Sequence, residues 1–256
     1  MHIIKTSLQI RQLTSLKAKS SDKADIRLVI HNLATGSKPE LGYSIKSRIG
    51  GDSTLINASG DSTNFIYKLG NVDLKITNEA NAIDSTMEMC EFLIAQNVNF
   101  EFIGVASDAL HNNLTLLDLG IERIIAECIL KYYQRKAKTL DEAVLLVSSE
   151  DPLLIRTTST QPMYEYKVKQ FLLAFALGMT PGTPWNTQFN ANGGYIVIKE
   201  DGDIVCYHFF DRNDLEDYLF FNTRFESPSR SRHKYGKIYQ EDGQFFLKLN
   251  LQVRFR

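Results

Sequence analysis

Asp25 and Lys46 are the two residues whose types and spacing could carry chemistry. Asp25 begins the apolar segment Asp25–Leu33, and Lys46 lies in the alternating segment Leu41–Ile49, across a turn that contains glycine and proline. These patterns predict an antiparallel hairpin, which would bring the carboxylate close to the amine. Hydrolysis of a phosphodiester needs an acidic ligand for a metal ion and a cation that stabilises developing charge. Because Mg²⁺ needs only one or two carboxylates beside water and substrate phosphate, the pair favours metal-dependent phosphodiester hydrolysis.

The second of these segments has two distinct faces. One face carries Leu41, Tyr43 and Ile45, and the other carries Gly42, Ser44, Lys46 and Arg48. Successive side chains of a strand point to opposite faces, so Lys46 is expected on the polar face. An aspartate and a lysine at this spacing also recur by chance, and the alternative is a strand-edge aspartate with a solvated lysine.

Charge is segregated along the chain, although the net charge is only −1. Residues 1–50 hold nine lysines and arginines against three acidic residues, and residues 222–256 hold eight against three. Residues 51–221 hold twelve against twenty-four. Two basic ends around an acidic middle favour a surface that contacts phosphates, if the ends meet in space. Scattered solvated charge is the alternative.

Several classes of protein are disfavoured by what the sequence lacks. No apolar run is long enough to span a bilayer and no apolar leader is present, so we expect a cytoplasmic protein with no membrane contact. The scattered, odd-numbered cysteines Cys90, Cys128 and Cys206 favour reduced thiols over a disulfide framework or a zinc site. The motifs of P-loop NTPases, serine hydrolases and zinc proteases are missing.

Hydrophobic periodicity predicts a mixture of helices and strands. Helices are expected at Asp84–Gln96, Leu114–Lys136, Thr139–Val147, Tyr164–Leu177 and Asn213–Phe221, with a further short one inside Asp52–Phe65. Further strands are expected at Asn99–Ala106, Gly194–Ile198, Ile204–Phe210, Lys237–Tyr239 and Phe245–Phe255. The predicted fold class is α/β or α+β, with a central mixed β-sheet flanked by helices and C-terminal β-hairpins.

Asp25 and the tripeptide Ser44-Ile45-Lys46 resemble the PD-(D/E)xK nuclease superfamily, in which an aspartate on one strand and an acid-x-lysine on the next form the site. The resemblance implies that Asp25 and the carbonyl oxygen of Ile45 bind the metal. It implies that Lys46 positions water or stabilises charge on the phosphate. Ser44 stands where an acid is usual, so we expect it to act in catalysis indirectly, through water or through the metal ligands.

The missing acid has no obvious substitute in the sequence. Glu40 shares the face of Lys46 but lies too far along the strand. Residues 1–24 contain no glutamate, and Gln9 and Gln12 are the nearest polar alternatives there.

Longer blocks around the pair are similar to the HpaII-type restriction endonucleases. They are LKAKSSDKADIRLVIHNLATG, LGYSIKSRIGGDSTLINASGDSTNFIY and NTRFESPSRSRHKYGKIYQEDGQFFLKLNLQVRF, within residues 16–69 and 192–256. The resemblance implies a type II restriction enzyme that cuts double-stranded DNA at a short site with Mg²⁺; a homodimer is left open. Members of that family are longer at the N-terminus, so we expect Met1 to be a truncated or internal start.

The resemblance also implies one restriction-endonuclease-like domain over residues 1–256. We expect a catalytic core at about 1–110, a helical segment at about 111–190 and a β-rich, DNA-contacting segment at about 191–256.

Two polar segments are candidates for DNA contact. The first follows the second strand and supplies small hydroxyls and amides, which suit phosphates or base edges, from Ser53, Thr54, Asn57, Ser59 and Asn64. A capped helix with polar decoration is the alternative for this segment. The basic N-terminal part adds two further candidates, Lys19 and Arg48.

The second candidate segment is Ser227–Lys237, the most basic stretch of the chain. Its candidate residues are Ser229, Arg230, Arg232, His233 and Lys234. Arginine pairs with guanine through two hydrogen bonds, so the stretch favours a short G/C-rich site. A solvated basic loop is the alternative.

Three functions remain as hypotheses. A site-specific DNA endonuclease is favoured. A non-catalytic or truncated DNA-binding relative is the alternative suggested by the missing second carboxylate, and it would bind duplex DNA with a steep salt dependence but not cut it. A structure-selective DNA repair nuclease is the third, and it would cut branched or mismatched DNA without sequence preference.

Overall fold

The computed structural model describes residues 23–29, 36–49, 52–155, 161–208 and 211–256. Lys19, Gln9 and Gln12 lie outside the described residues. The described strands are β1 (Ile26–Val29), β2 (Glu40–Ser47), β3 (Thr54–Ile56), β4 (Asn64–Gly70), β5 (Asn99–Val105), β6 (Gly194–Ile198), β7 (Ile204–His208), β8 (Thr223–Phe225), β9 (Ile238–Glu241), β10 (Gln244–Asn250) and β11 (Val253–Phe255). The described helices are α1 (Leu74–Asn81), α2 (Thr86–Ala95), α3 (Asp108–Leu117), α4 (Ile121–Tyr133), α5 (Leu140–Glu150), α6 (Met163–Leu177), α7 (Arg212–Phe221) and α8 (Arg230–His233).

The predicted mixed sheet is confirmed, with strand order β1-β2-β6-β7. The two predicted hairpins, β1–β2 and β6–β7, are antiparallel, and β2 pairs in parallel with β6. A parallel pair needs a long crossover, and the chain between β2 and β6 contains most of the helices. The proposed division into three segments stays a prediction.

Two antiparallel sheets complete the β structure, with orders β5-β4-β10-β9 and β3-β11-β8. The prediction of a short helix within residues 52–65 is wrong, because that stretch forms β3, a series of turns and the start of β4. The partners of β3 and β4 are β11 and β10, almost two hundred residues away in sequence. Local composition cannot reveal pairing over such a distance. Here that pairing overrides the preference of serine, threonine and asparagine for turns and helix caps.

The single long helix predicted at Leu114–Lys136 is also wrong, because it is two helices, α3 and α4. Asp118 after α3 is extended, and its carboxylate accepts the N–H of Gly120 at 2.8 Å. Aspartate offers the backbone a partner outside the helix and glycine is a poor helix former, which explains the break. The helices expected around α2, α5, α6 and α7 are confirmed.

The buried core lies between the helices and the sheet β5-β4-β10-β9. Phe65 and Tyr67 on β4, like Leu247 and Leu249 on β10, are completely buried. The predicted burial of Cys90 and Cys128 is confirmed, whereas Cys206 is exposed. No helix in the described part of the chain is long and apolar enough to cross a membrane.

Candidate functional site

The first hairpin places Asp25 opposite Ser44. Its register pairs Ile26 with Tyr43, and the N–H of Asp25 donates to the carbonyl of Tyr43 at 2.8 Å. Regular pairing of β1 starts only at Ile26, so the edge of β2 beyond Tyr43 has no strand neighbour on that side among the described residues. The end of the hairpin is therefore where backbone groups of β2 are open to other partners.

The carboxylate of Asp25 takes the place of the missing strand neighbour. Its Oδ2 accepts the N–H of Ile45 at 2.6 Å and the hydroxyl of Ser44 at 3.3 Å. A carboxylate that accepts a backbone N–H is held by a charge-assisted bond, so its orientation is fixed. Asp25 itself remains exposed, which leaves its other oxygen accessible to a ligand.

Ser44 links Asp25 to a buried tyrosine that the sequence did not single out. Ser44 and Tyr195 are paired across β2 and β6, and both are 1% exposed. Burial raises the pKa of Tyr195 well above its usual value, and the charge of Asp25 adds to that effect. The serine hydroxyl donates to Asp25 from a buried position. A serine at the usual acid position can therefore hold the aspartate in place.

Two lysines lie near this carboxylate. Burial lowers the pKa of Lys46, and Asp25 partly offsets that effect. Burial and the nearby charge of Lys46 lower the pKa of Lys23 to about 8, with Asp25 acting in the opposite direction. Neither amine forms a salt bridge with Asp25 among the described residues, so the charges act at longer range. Lys23 was missed at the sequence level, because nothing in its local pattern shows that it is partly buried beside Lys46.

The residues at this edge fit a magnesium ion that keeps most of its water. No group of three His, Cys, Asp or Glu side chains capable of holding a metal occurs in the described ranges. Asp25 supplies one carboxylate. The N–H and C=O of a strand residue point to the same side, so the carbonyl of Ile45 faces the same open edge as its N–H. Glu40 is no substitute for the missing acid, since it pairs with Arg27 at 3.3 Å, far along β2.

The polar segment after β2 splits into accessible and inaccessible residues. Thr54 lies on β3, and Ser53 is half-buried, with a hydroxyl that has no hydrogen-bond partner in the described chain. Asn57 and Ser59 follow β3 and are exposed. Arg48, just after β2, pairs with Glu200 at 3.1 Å. The accessible candidates therefore lie on both sides of β3.

The prediction that Asn64 contacts DNA does not fit the structure. Asn64 is 0% exposed. Its amide donates to the carbonyl of His233 at 2.9 Å and to Asp61 at 3.0 Å, and it accepts from the Asn250 amide at 2.6 Å. These bonds tie the turn before β4 to the basic segment, so Asn64 has a structural role.

Arg230 is likewise engaged within the protein. Its guanidinium donates to the carbonyl oxygens of Ile83, Asp84 and Gly236. A guanidinium used in this way is not free for bidentate pairing with guanine, so the prediction for Arg230 does not fit its contacts. The arginine fixes the basic segment to the start of α2.

Of the remaining candidates in the basic segment, Lys234 lines a cleft of about 890 Å³. Arg232 and Ser229 are exposed, and Lys234 is exposed with Asp61 3.8 Å from its amine. His233 is half-buried, and burial followed by the charge of Arg232 lowers its pKa. Four basic residues line the cleft, including Lys234 and Lys237, against the two acidic residues Asp84 and Glu241. The excess of positive charge favours an anionic polymer.

Comparison with known proteins identifies a family and a related enzyme. The family model described as HpaII restriction endonuclease matches residues 2–255. The chain is 45% identical over 242 residues to a protein of Haemophilus parainfluenzae named type II restriction enzyme HpaII. The aligned region covers 94% of this chain and 67% of that relative. No solved structure matches the chain.

Proposed function

The chain belongs to the HpaII restriction endonuclease family, and from this membership we propose that it cuts double-stranded DNA at a short specific site with Mg²⁺. One observation carries the assignment of the site. The Ile45 N–H holds the Asp25 carboxylate at the edge of β2, beside the two partly buried amines of Lys46 and Lys23. Burial lowers the pKa of both amines, and the charge of Asp25 partly offsets that effect. A single anion beside two cations suits a metal ion and a scissile phosphate together.

In this proposal each residue of the hairpin has one task. Asp25 and the carbonyl of Ile45 would hold Mg²⁺, which when bound neutralises phosphate charge and lowers the pKa of a bound water. Ser44 holds the Asp25 carboxylate through its hydroxyl, which donates to it from a buried position on β2. Lys46 donates a hydrogen bond to the attacking water or to a phosphate oxygen and stabilises the charge that develops there.

The proposed DNA contacts are the candidates that are exposed or half-buried. They are Arg48, Ser53, Thr54, Asn57, Ser59, Ser229, Arg232, His233 and Lys234. Arg232 is the candidate for reading guanine, because it is exposed and has no hydrogen bond or ion pair within the described ranges. A preference for a short G/C-rich site follows from that assignment.

The test is cleavage of a supercoiled plasmid in Mg²⁺. We expect discrete fragments from the wild type, none in EDTA, and none from Asp25→Ala or Lys46→Ala. Matched controls are Glu40→Gln, an acid on the same strand, and Lys38→Ala, an exposed lysine just before it. Sequencing the fragment ends identifies the site. Undiminished cutting by both Asp25→Ala and Lys46→Ala would reject this site assignment.

A second candidate function is DNA binding without catalysis, and the single carboxylate is the observation that favours it. In that case duplex DNA would bind with a steep salt dependence, and neither Mg²⁺ nor Mn²⁺ would produce nicks. Cutting of branched DNA regardless of sequence would point instead to a repair nuclease.

Cleavage of both strands also bears on assembly. One chain carries one candidate site, and two antiparallel strands are related by a two-fold axis, so we propose a homodimer. Light scattering gives the mass directly. A monomer that produces an open-circular intermediate before linear DNA would contradict this arrangement.

A further inference from the structure

A cavity of about 330 Å³ opens beside the catalytic hairpin. It lies between the start of β1, the end of β3 and the loop that follows α6. Among the described residues, its polar lining consists of Lys23, Asn57, Ser59, Thr180 and Thr183, and no acidic residue lines it there. A lining with a cation and without a carboxylate favours an anionic occupant.

The loop that forms one wall is held by a buried side chain. Asn113 on α3 is 1% exposed. Its amide donates to the carbonyls of Thr180 and Thr183 at 3.1 and 2.9 Å, and its oxygen accepts the N–H of Trp185 at 2.8 Å. One asparagine therefore satisfies three backbone groups of the loop, and the wall is fixed before any ligand binds.

The hydrogen-bonding groups that face this cavity are not all used by the protein. The hydroxyls of Thr180 and Thr183 are 2.5 Å apart, so one donates to the other and the acceptor keeps its own proton for a ligand. The side chains of Asn57 and Ser59 are exposed and make no hydrogen bond within the described ranges. Phosphate accepts and never donates in its ionised form, so it matches this set of donors.

Lys23 connects the cavity to the catalytic pair, because it lines the cavity and interacts electrostatically with both Lys46 and Asp25. We propose that the cavity binds the sugar-phosphate backbone of the DNA strand next to the phosphate that is cut, and that Asn113 is the positioning residue of its loop. This inference rests on the proposed function. It assigns the loop at residues 180–183, which carries no sequence motif, to the substrate-binding surface.

The test compares DNA binding by variants of the cavity, measured with a fluorescent duplex in EDTA so that no strand is cut. We expect Lys23→Met to weaken binding about 10-fold and to reduce the salt slope by about 1. We expect Thr183→Val to weaken binding about 3-fold to 10-fold. The matched control is Thr187→Val in the same loop, whose hydroxyl bonds to the Asn186 carbonyl outside the cavity and whose loss leaves binding unchanged.

The role of Asn113 is tested by a double-mutant cycle with Thr183, in which DNA affinity is measured. A merely structural role of Asn113 would not make the two effects depend on each other. Asn113→Asp removes both donors to the loop and keeps the acceptor. In that background Thr183→Val should have little further effect on DNA affinity, since both changes act on the same wall. Full additivity of the two changes, measured well below the melting temperature of each variant, would contradict the positioning role.

The outcomes separate this inference from the proposed function. If both Lys23→Met and Thr183→Val bind DNA with the affinity and salt slope of the wild type, the inference is overturned. The proposal that the protein is a nuclease would stand. Weaker binding by both variants, with no cleavage by the wild type, would support the cavity and reject the nuclease proposal. A third outcome is that a mononucleotide stabilises the wild type but not Thr183→Val, while Thr183→Val binds DNA as tightly as the wild type. That outcome would make the cavity a small-molecule site and overturn the inference.

Discussion

The mixed sheet and the antiparallel sheet β5-β4-β10-β9 use the same kinds of polar residue in opposite ways. On the mixed sheet, Asp25 is exposed and keeps one carboxylate oxygen accessible at an open edge. On the antiparallel sheet, Asn64 and Asn250 are buried and bond to each other. Residue type does not separate these cases, whereas exposure to solvent does. Polar groups with unused capacity at an exposed edge are the ones available for chemistry.

The largest expected effect is on the exposed side of this comparison. Asp25→Asn keeps an oxygen that can accept the Ile45 N–H but removes the charge, so cleavage should fall at least about 100-fold with little change in stability. Rates come from single-turnover cleavage of a plasmid, and stability comes from urea unfolding. A variant that is as active as the wild type, or that unfolds at much lower urea, would break the contrast between the two sheets.

Substitution of the buried Asn64 should mainly lower the stability of the protein, in contrast to Asp25→Asn. Asn64→Ala removes a donor to the His233 carbonyl and an acceptor for Asn250, both in a buried setting, and we expect a loss of about 2–3 kcal/mol in the free energy of unfolding. The matched control is Asn57→Ala, an exposed asparagine for which the loss should be below about 0.5 kcal/mol. Urea midpoints measure both changes. Equal midpoints for the two variants would show that the Asn64 network is not structural.

Arg230 and Arg232 make the same comparison within two residues. Arg230→Ala removes hydrogen bonds to three backbone carbonyls and should cost about 1–3 kcal/mol of stability. Arg232→Ala removes an exposed cation, so it should leave stability unchanged and reduce the salt slope of DNA binding by about 1. Filter binding at several salt concentrations and urea unfolding separate the two effects. If Arg230→Ala instead reduced the salt slope and Arg232→Ala instead lowered the stability, DNA reading would be assigned to Arg230.

The sequence predicted the first hairpin because its evidence is local. Alternation over Leu41–Ile49, the glycine- and proline-containing turn and the strand-forming residues after Asp25 all lie within a short stretch. The register of β1 against β2 was not predicted, and it pairs Ile26 with Tyr43 and Val29 with Glu40. The helices around α2, α5 and α6 were also predicted, since each begins or continues with a clear apolar period.

The contacts that the sequence did not predict depend on pairing between segments far apart along the chain. Tyr195 meets Ser44 through the parallel pairing of β2 with β6, about 150 residues apart along the chain. The strand β4 exists because β10 pairs with it, and its alternation of Phe65, Tyr67 and Leu69 was hidden among polar neighbours. Lys23 shows its partial burial only in three dimensions. The roles of these residues come from their neighbours in space.

The smallest expected effect concerns the cysteines. Their labelling compares the buried core with the mixed sheet and does not alter the candidate site. Burial raises the pKa of Cys90 to about 12 and also raises that of Cys128, and both lie in helices of the core. Cys206 is exposed on β7 of the mixed sheet. At pH 8 a thiol reagent should therefore label only Cys206 in the folded protein and all three thiols in urea, because the thiolate is the reacting form and the buried thiols are protected. Mass spectrometry of the labelled peptides identifies each site. Rapid labelling of Cys90 in the folded protein would mean that the core opens as readily as the mixed sheet, and the contrast between the two regions would be lost.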